Sequence, residues 1–412
     1  MKLLRVIGAA LLAAWLFGCA STVNSSAGDA APVDARPDTF DTQADARPDA
    51  PDAPADVPGD ALDAAFVRRG TVAVGGLHVC ALDARGAVWC WGNNDYGQLG
   101  DGTTERRPTP VRVADIEGAV QVAADQTATC VVLRDRTVRC WGKTMNRSVE
   151  PRMPIDRDAL TLQPQAVANL DRVQSVAVRA GPSESVACAL RDDASVWCWG
   201  SASLVPGYPR GTRIAAPTGP SSLTGVAMIS LESTYNCSVA RVGTVTCWGI
   251  RNWDPSFRRE PTVLDGVVDA RSVTLGGNHL CVLSRVGTVR CIGTNTNGEL
   301  GDGTTLSSPS AFVAVRGLLD AVAISNNGSA TTVALRADGT VVRWGYPNPQ
   351  LRPFAPVSEL RDIVDVSGGL GNFCARRVDG ALFCWGTNSE GQIGNGTQRT
   401  SHIPVRVAGL GP

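Results

Sequence analysis

Seven copies of one short pattern, spaced about fifty residues apart, constrain the fold more than any other feature of the sequence. The first copy reads Cys-Ala-Leu-Asp-Ala-Arg-Gly-Ala-Val-Trp-Cys-Trp-Gly and spans Cys80–Gly92. The other copies span Cys130–Gly142, Cys188–Gly200, Cys237–Gly249, Cys281–Gly293, Val333–Gly345 and Cys374–Gly386. Self-similarity at this period indicates a fold built from repeated supersecondary units.

Each copy has the pattern of a β-hairpin. Apolar residues alternate on both sides of a short polar break, which is typical of two antiparallel strands. If the two cysteines face each other, the hairpin loop has three residues and ends at Gly86 in the first copy. Four other copies have glycine there, and glycine adopts the left-handed conformation of such loops most easily. Arg136 and Ala194 take this place in copies two and three, so the sequence leaves those turns open.

The cysteines of the repeats form C-x9-C pairs, which we interpret as cross-strand disulfides. The predicted bridges join Cys80 to Cys90, Cys130 to Cys140, Cys188 to Cys198, Cys237 to Cys247, Cys281 to Cys291, and Cys374 to Cys384. Copy six replaces both members, with Val333 and Arg343, whereas independent buried thiols would have no reason to vanish together. Free core cysteines are the alternative. Zinc is disfavoured because the pairs lie far apart in sequence and histidines are few, so no metal or cofactor is predicted.

The N-terminal residues 1–18 have the pattern of an export signal. Lys2 and Arg5 precede an apolar run that is too short to cross a membrane. The run ending at Cys19 resembles the lipobox of bacterial lipoproteins, in which the cysteine is lipidated, although Phe17 departs from the small residue usual there. An ordinary secretory signal is the alternative. We therefore expect an exported protein, anchored by lipid to the outer membrane or cell surface, in a compartment where disulfides persist.

Residues 19–63 are predicted to form a disordered linker after the lipidated cysteine. Asn24–Asp63 contains ten Asp, two Arg and few large apolar residues, which gives a net charge of −8. The predicted folded part, residues 66–412, has a net charge of +5, which is too small for its length to indicate a nucleic-acid-binding surface. The sequence therefore predicts a solvated stalk followed by a domain that does not bind nucleic acid.

Each unit continues beyond its hairpin with two more strand-like runs. In copy one these are Pro110–Val113 and Ala119–Ala123, separated from the hairpin by a Gly-Gln-Leu-Gly-Asp-Gly-Thr-Thr segment. Seven units of four strands predict an all-β protein, a seven-bladed β-propeller of four-stranded blades. Thr71–Val74 has no Pro-Val-x-Val run before it, and Pro404–Val407 follows the last copy. We therefore expect the C-terminal strand to complete the first blade and close the ring.

The run Trp-Gly-x-Asn-x-x-Gly-Gln-Leu-Gly-x-Gly-Thr, with Cys-Ala-Leu before it, resembles the repeats of the regulator of chromosome condensation family. The resemblance implies a seven-bladed propeller. It implies less about function, because that family includes a guanine-nucleotide exchange factor, a plant light receptor and a secreted bacterial inhibitor of β-lactamases. A signal segment and disulfides are incompatible with a small GTPase or chromatin as partner.

The residues with possible chemistry have simpler structural interpretations. His78 and His279 share one repeat position, where contact with the neighbouring blade is favoured over metal ligation; His402 lies outside the pattern. Turn formation explains the loops at Asp101 and Asp302 better than calcium binding does. Core packing between blades is favoured over a sugar-binding ring for Trp91, Trp141, Trp199, Trp248, Trp344, Trp385 and the substituted Ile292. The sequence contains no enzyme signature, so a non-enzyme is predicted.

Irregular segments replace the Gly-Gln-Leu-Gly run in copies two, three, four and six, at 143–157, 201–216, 250–260 and 346–354. They are predicted to emerge on one side of the ring. The predicted binding residues are those of the fourth unit, Arg251, Trp253, Phe257, Arg258 and Arg259. We expect a monomeric scaffold that binds a protein rather than a glycan. An inhibitor of an extracellular enzyme and an enzyme with a site at the ring centre are the alternatives.

Overall fold

The part of the chain that the computed structural model describes consists of β-strands joined by turns and loops. The described residues are 71–143, 160–180, 185–201, 213–218, 223–232, 235–249, 261–346 and 354–411, and no helix occurs among them. Their strands form seven antiparallel sheets of four strands each. The predicted all-β, seven-bladed propeller is therefore confirmed. The predicted signal segment, Cys19 and the acidic linker lie outside the described residues.

Each blade consists of four strands that are consecutive in sequence. Blade one contains β1 (Val72–Val74), β2 (His78–Leu82), β3 (Val88–Gly92) and β4 (Arg107–Arg112). Blade two contains β5 (Ala119–Asp125), β6 (Ala128–Leu133), β7 (Val138–Lys143) and β8 (Leu160–Ala166). Blade three contains β9 (Val173–Ala180), β10 (Ser185–Arg191), β11 (Val196–Ser201) and β12 (Arg213–Thr218).

The remaining blades have the same order. Blade four contains β13 (Val226–Leu231), β14 (Tyr235–Ala240), β15 (Val245–Gly249) and β16 (Thr262–Val263). Blade five contains β17 (Ala270–Leu275), β18 (His279–Ser284), β19 (Val289–Gly293) and β20 (Ser308–Ala314). Blade six contains β21 (Ala321–Asn326), β22 (Thr331–Arg336), β23 (Val341–Gly345) and β24 (Ala355–Pro356). Blade seven contains β25 (Ile363–Gly369), β26 (Asn372–Arg377), β27 (Leu382–Gly386) and β28 (Ser401–Arg406).

The hairpin register agrees with the sequence prediction. Cys80 pairs directly with Cys90, and the other five cysteine pairs have the same register. All six pairs are disulfides, with Cα atoms 4.0–4.1 Å apart. The three-residue loop ends at Gly86, which has a φ of 83°. Arg136 and Ala194 adopt the same left-handed conformation, with φ of 65° and 63°, so the two open turns have the same geometry without glycine.

The predicted role of the repeated tryptophan is also confirmed. All six tryptophans at this position, and Ile292, belong to hydrophobic clusters that join neighbouring blades or strands, and all seven side chains are buried. In blade one, the ladder between β3 and β4 shifts register between Cys90 and Gly92. Gly92 has a φ of 104°, and a Cβ there would lie 2.5 Å from the Leu77 carbonyl oxygen. The glycine after the tryptophan therefore allows the bend that directs the indole into the core.

The ring closes differently from the sequence prediction. The C-terminal strand β28 pairs with β27 of its own blade, where Val405 lies opposite Cys384. Blade one has its own fourth strand, β4, in which Val111 lies opposite Cys90. The prediction that Pro404–Val407 completes blade one was therefore wrong. Each Pro-Val-x-Val run pairs with the hairpin that precedes it, as neighbouring strands in sequence commonly do.

Contacts between complete blades close the ring instead. The first strands of the blades, β1, β5, β9, β13, β17, β21 and β25, contact one another in order, and β25 contacts β1. At this seam, the backbone N–H and the hydroxyl of Thr71 both donate to Oδ2 of Asp365, at 3.1 and 2.7 Å. The backbone N–H of Val74 donates to Oγ of Ser367 at 3.1 Å, and the Arg376 guanidinium donates to the Leu82 carbonyl. Polar side chains therefore join the two ends of the propeller.

Candidate protein-binding faces

The strand order gives the propeller two opposite faces. Turns between first and second strands and loops between third and fourth strands lie on one face, which we call the loop face. Turns between second and third strands and the connections between blades lie on the other face, which we call the hairpin face. Because strands in each blade alternate in direction, this assignment holds for every blade.

The regular loops of blades one, five and seven fasten each blade to the next. In blade one, Asn94 Nδ2 donates to the Thr103 carbonyl at 3.1 Å, and its Oδ1 accepts from the Leu99 backbone N–H at 2.9 Å. The Gln98 carbonyl then accepts from the indole N–H of Trp141, in blade two, at 2.8 Å. The corresponding contacts are Glu299 with Trp344 at 3.0 Å and Gln392 with Trp91 at 2.9 Å. These loops therefore have a structural role.

The loop at Asp101 forms a turn, as the sequence analysis favoured. Oδ1 of Asp101 accepts from the backbone N–H and the hydroxyl of Thr103 at 3.0 and 2.7 Å, and Oδ2 accepts from Arg107 Nε at 2.9 Å. Burial alone would raise the pKa of Asp101, but the hydrogen bonds from Thr103 and Arg107 outweigh it and lower the pKa. Across the described ranges, no group of three His, Cys, Asp or Glu side chains could hold a metal ion.

The irregular segments all begin and end at equivalent points of their blades. Each follows the third strand, after Lys143, Ser201, Gly249 and Tyr346, and precedes the fourth strand. Their ends therefore lie on the loop face, where blades one, five and seven have the regular loop. The predicted binding residues Arg251, Trp253, Phe257, Arg258 and Arg259 lie outside the described residues, between β15 and β16.

The two repeat-position histidines contact the next blade, as predicted. His78 Nε2 lies 2.8 Å from the Thr129 hydroxyl oxygen of blade two, and His279 Nε2 lies 3.1 Å from the Thr332 hydroxyl oxygen of blade six. Both rings are fully buried, and desolvation lowers the pKa of His78 to about 3 and of His279 to about 4. The neutral imidazoles therefore belong to the polar contacts between blades.

Tyr235 occupies the same repeat position in blade four, and the sequence analysis missed its role. Its hydroxyl lies 2.6 Å from the Gly276 carbonyl oxygen and 2.7 Å from the His279 carbonyl oxygen, both in blade five. Its place two residues before Cys237, which matches His78 before Cys80, was the sequence signal for this contact.

The first strands of the seven blades contain two carboxylates among their described residues, Asp125 and Asp365. Oδ2 of Asp125 forms a salt bridge with Arg179 of blade three at 3.0 Å. Asp365 accepts the two hydrogen bonds from Thr71 at the seam. Both carboxylates therefore join neighbouring blades.

Comparisons with known proteins agree with the repeat and the fold. Two models of the regulator of chromosome condensation (RCC1) repeat match this chain, one at residues 85–132 and 379–412 and the other at 71–98 and 363–392. The human E3 ubiquitin-protein ligase HERC2 is 27% identical over 269 residues, which are 61% of this chain. The matched region is 5% of the length of that ligase, so the chain corresponds to a small part of it.

Two solved structures have a similar fold. Human WBSCR16 superimposes with a TM-score of 0.65 at 19% identity, over 78% of this chain and 94% of that one. Yeast RCC1 (Prp20), solved bound to Kap60, superimposes with a TM-score of 0.50 at 20% identity, over 82% of this chain and 74% of that one. The chain is a seven-bladed β-propeller, and its matched segments, in the first two blades and the last, are similar to the RCC1 repeat.

In the described ranges of the chain, no helix is long and apolar enough to span a bilayer.

Proposed function

We propose that this protein is a cell-envelope-anchored scaffold that recognises a protein partner through the loop face of its propeller. The observation that carries the proposal is the position of the irregular segments. Four blades replace the same regular loop, three of them are consecutive, and all four replacements begin at the same point of the blade. Binding residues commonly lie on loops that a rigid scaffold positions.

The disulfides support the proposed location outside the cytoplasm. Six cross-strand bridges are typical of proteins that fold in an oxidising compartment, which fits an exported protein. The export signal and the lipobox-like run ending at Cys19 supply the proposed anchor, and the acidic linker supplies a stalk. The membrane is contacted through the lipid alone in this proposal, and the propeller remains available to a partner.

The composition of the fourth irregular segment supports a protein partner. Arg251, Trp253, Phe257, Arg258 and Arg259 lie within nine residues, and Trp253 lies outside the repeated tryptophan position that packs the core. Tryptophan and arginine are the residue types that most often anchor protein interfaces.

A loop replacement in blade two tests the role of the irregular segments. Gly142 pairs with Thr161 as Gly92 pairs with Arg107, so residues 93–106 can replace residues 143–160 at matching strand ends. Trp199 has the same repeat position in blade three as Trp141 has in blade two, and the Trp141 indole donates to the carbonyl of Gln98 in the loop to be grafted. A partner isolated from envelope extracts with the full chain should bind this variant more weakly, while the melting temperature is unchanged.

A second variant tests the predicted anchors, and a third is its control. Replacing Trp253 and Arg258 by Ala should lower the affinity for the same partner by about tenfold or more. Replacing Arg85 by Ala, on the hairpin face, should leave the affinity unchanged. If the loop replacement and the double substitution both bind as the wild type does, the loop face is not the binding surface.

A further inference from the structure

Four exposed aliphatic side chains lie together on the hairpin face of blades four to six. They are Val242, Val268, Val286 and Leu319, with 72%, 71%, 76% and 68% of their surfaces exposed. Val242 and Val286 lie in the hairpin turns of blades four and five, and Val268 and Leu319 lie in the connections into blades five and six. We call these four residues the aliphatic patch.

Backbone contacts make the aliphatic patch continuous. Gly243, next to Val242, packs so closely on the following connection that a Cβ there would lie 2.6 Å from the Val268 carbonyl oxygen. Likewise, a Cβ at Gly287, next to Val286, would lie 2.8 Å from the Leu319 carbonyl oxygen. The two turns are joined as well, because the Arg285 guanidinium donates to the Arg241 carbonyl and the Arg285 backbone N–H donates to the Asp269 carbonyl.

The repeat itself does not require these aliphatic residues. At the turn position of Val242 and Val286, the other blades have Arg85, Asp135, Asp193, Asp338 and Asp379. Each of the four aspartates accepts the backbone N–H two residues later, at 2.9–3.0 Å, which stabilises the turn. Blades four and five lack this hydrogen bond and expose a valine instead.

The connections between blades show the same departure. At the position of Val268 and Leu319, the connections into blades two, three, four and seven have Glu117, Asp171, Thr224 and Arg361. Polar residues therefore satisfy the local structure there. Contiguous exposed apolar patches with polar rims are typical of interaction sites, whereas apolar residues scattered singly are ordinary.

The rim of the aliphatic patch is positively charged. Arg241, Arg285 and Arg316 are exposed, and none of them forms a salt bridge with a described residue. Asp269 and Asp320, in the same connections, are neutralised by Arg290 at 3.2 Å and Arg336 at 2.8 Å. Asp265 is the exposed carboxylate that remains in these two connections. Its single negative charge leaves the three arginines in excess, which favours an acidic partner.

We infer that the aliphatic patch and its arginine rim form a second docking surface, for an acidic protein segment that also presents apolar side chains. The apolar side chains of the segment would cover the aliphatic patch, and its carboxylates would pair with Arg241, Arg285 and Arg316. This surface lies on the face opposite to the loop face, so it can be occupied together with the proposed loop-face partner and is tested separately.

Defined peptides test the chemistry of this surface. Three labelled synthetic peptides of equal length, alternating Asp with Leu, Lys with Leu and Asp with Ser, are titrated into the full chain and followed by fluorescence anisotropy. The Asp–Leu peptide should bind most tightly. Its affinity should fall as NaCl rises from about 50 to about 200 mM, because salt screens exposed charges.

Two matched variants locate the binding. The double variant Val242→Asp/Val286→Asp has the aspartate that other blades have at this turn position, so its turns should fold normally. Its affinity for the Asp–Leu peptide should be lower by about tenfold or more. Arg85→Asp changes the same turn position in blade one and should leave the affinity unchanged. Arg241→Ala/Arg285→Ala should weaken binding and reduce its salt dependence.

Several results would overturn the proposal. If the Lys–Leu peptide bound as tightly as the Asp–Leu peptide, the arginine rim would not select an acidic partner. If the Asp–Leu peptide did not bind, the aliphatic patch would not be a docking surface for such a segment. Equal losses in the Val242→Asp/Val286→Asp and Arg85→Asp variants would place the binding elsewhere. Sedimentation showing self-association of the full chain, abolished by Val242→Asp/Val286→Asp, would identify the patch as an interface between copies and not as this docking surface.

Discussion

A seventh disulfide can be introduced into the one blade that lacks it. Val333 in β22 pairs directly with Arg343 in β23, in the register that the cysteines have in the other six blades. Val333 is fully buried, as the cysteines at its position are. In the native bridges the paired Cα atoms are 4.0–4.1 Å apart. We therefore expect Val333→Cys/Arg343→Cys to form a bridge during oxidative folding.

The expected stabilisation follows from the loop that the bridge closes. Its sequence separation would be 10, as in the native bridges, and the chain-entropy model gives about 3 kcal/mol for a loop of this size. The single variants Val333→Cys and Arg343→Cys lose the same native side chains without forming the bridge. The wild type, the two single variants and the double variant form a double-mutant cycle. The coupling free energy of unfolding from this cycle should therefore be about 3 kcal/mol. For a domain of this size unfolding as one unit, the coupling corresponds to a rise in melting temperature of about 4 °C.

Mass spectrometry and calorimetry together check this prediction. The intact mass of the double variant should lie fourteen hydrogens below that of its fully reduced chain, twelve for the six native bridges and two for the new one, and non-reducing peptide maps should join the two new cysteines. A bridged double variant with no coupling energy would show that this short loop is already restricted in the unfolded chain. Unreacted thiols at both positions would refute the register argument itself.

Three further predictions concern single positions. Ala194→Gly should raise the free energy of unfolding by about 1 kcal/mol, measured in urea, because glycine has no Cβ penalty in the left-handed turn. His78 and His279 have pKa values of about 3 and about 4 when folded, below the ordinary value of 6.5, so the unfolded chain binds more protons and stability falls as the pH drops from 6.5 towards 4. Each histidine should contribute a loss of about 2 kcal/mol between pH 7 and pH 5; His78→Gln/His279→Gln should remove that part of the slope, whereas His402→Gln, at an exposed position, should keep it. Cys19→Ser should abolish incorporation of labelled palmitate and partitioning into detergent, and retention of the label would refute the proposed anchor.

Much of a single blade could be predicted from the sequence. The C-x9-C spacing and Gly86 together determine the hairpin register, because only one register places both cysteines opposite each other and glycine in the left-handed position. The joint replacement by Val333 and Arg343 supported the pairing, and these two residues do face each other. The turns at Arg136 and Ala194 could not be assigned, because the geometry is imposed by the adjoining pair of strands and not by the turn residue.

Relations between blades were harder to predict. The hydrogen bonds from Thr71 to Asp365 join residues 294 positions apart, and a repeat pattern assigns positions within a unit without assigning partners in the next one. For the same reason the fourth strand of each unit was assigned to the wrong blade at the seam. The binding residues predicted near Trp253 remain a prediction, since they lie outside the described residues.

Three kinds of departure from the repeat occur together in blades four and five. There Ile292 replaces the repeated tryptophan, and the Tyr235 hydroxyl instead bonds to backbone carbonyls across the same interface. Blade four has an irregular segment between its third and fourth strands, whereas blade five keeps the regular loop, and Val242 and Val286 lie on the hairpin face of these two blades. Drift in one surface loop would change one face only. Because changes on both faces coincide with a rebuilt contact between the blades, we expect partner recognition to concentrate in this part of the ring.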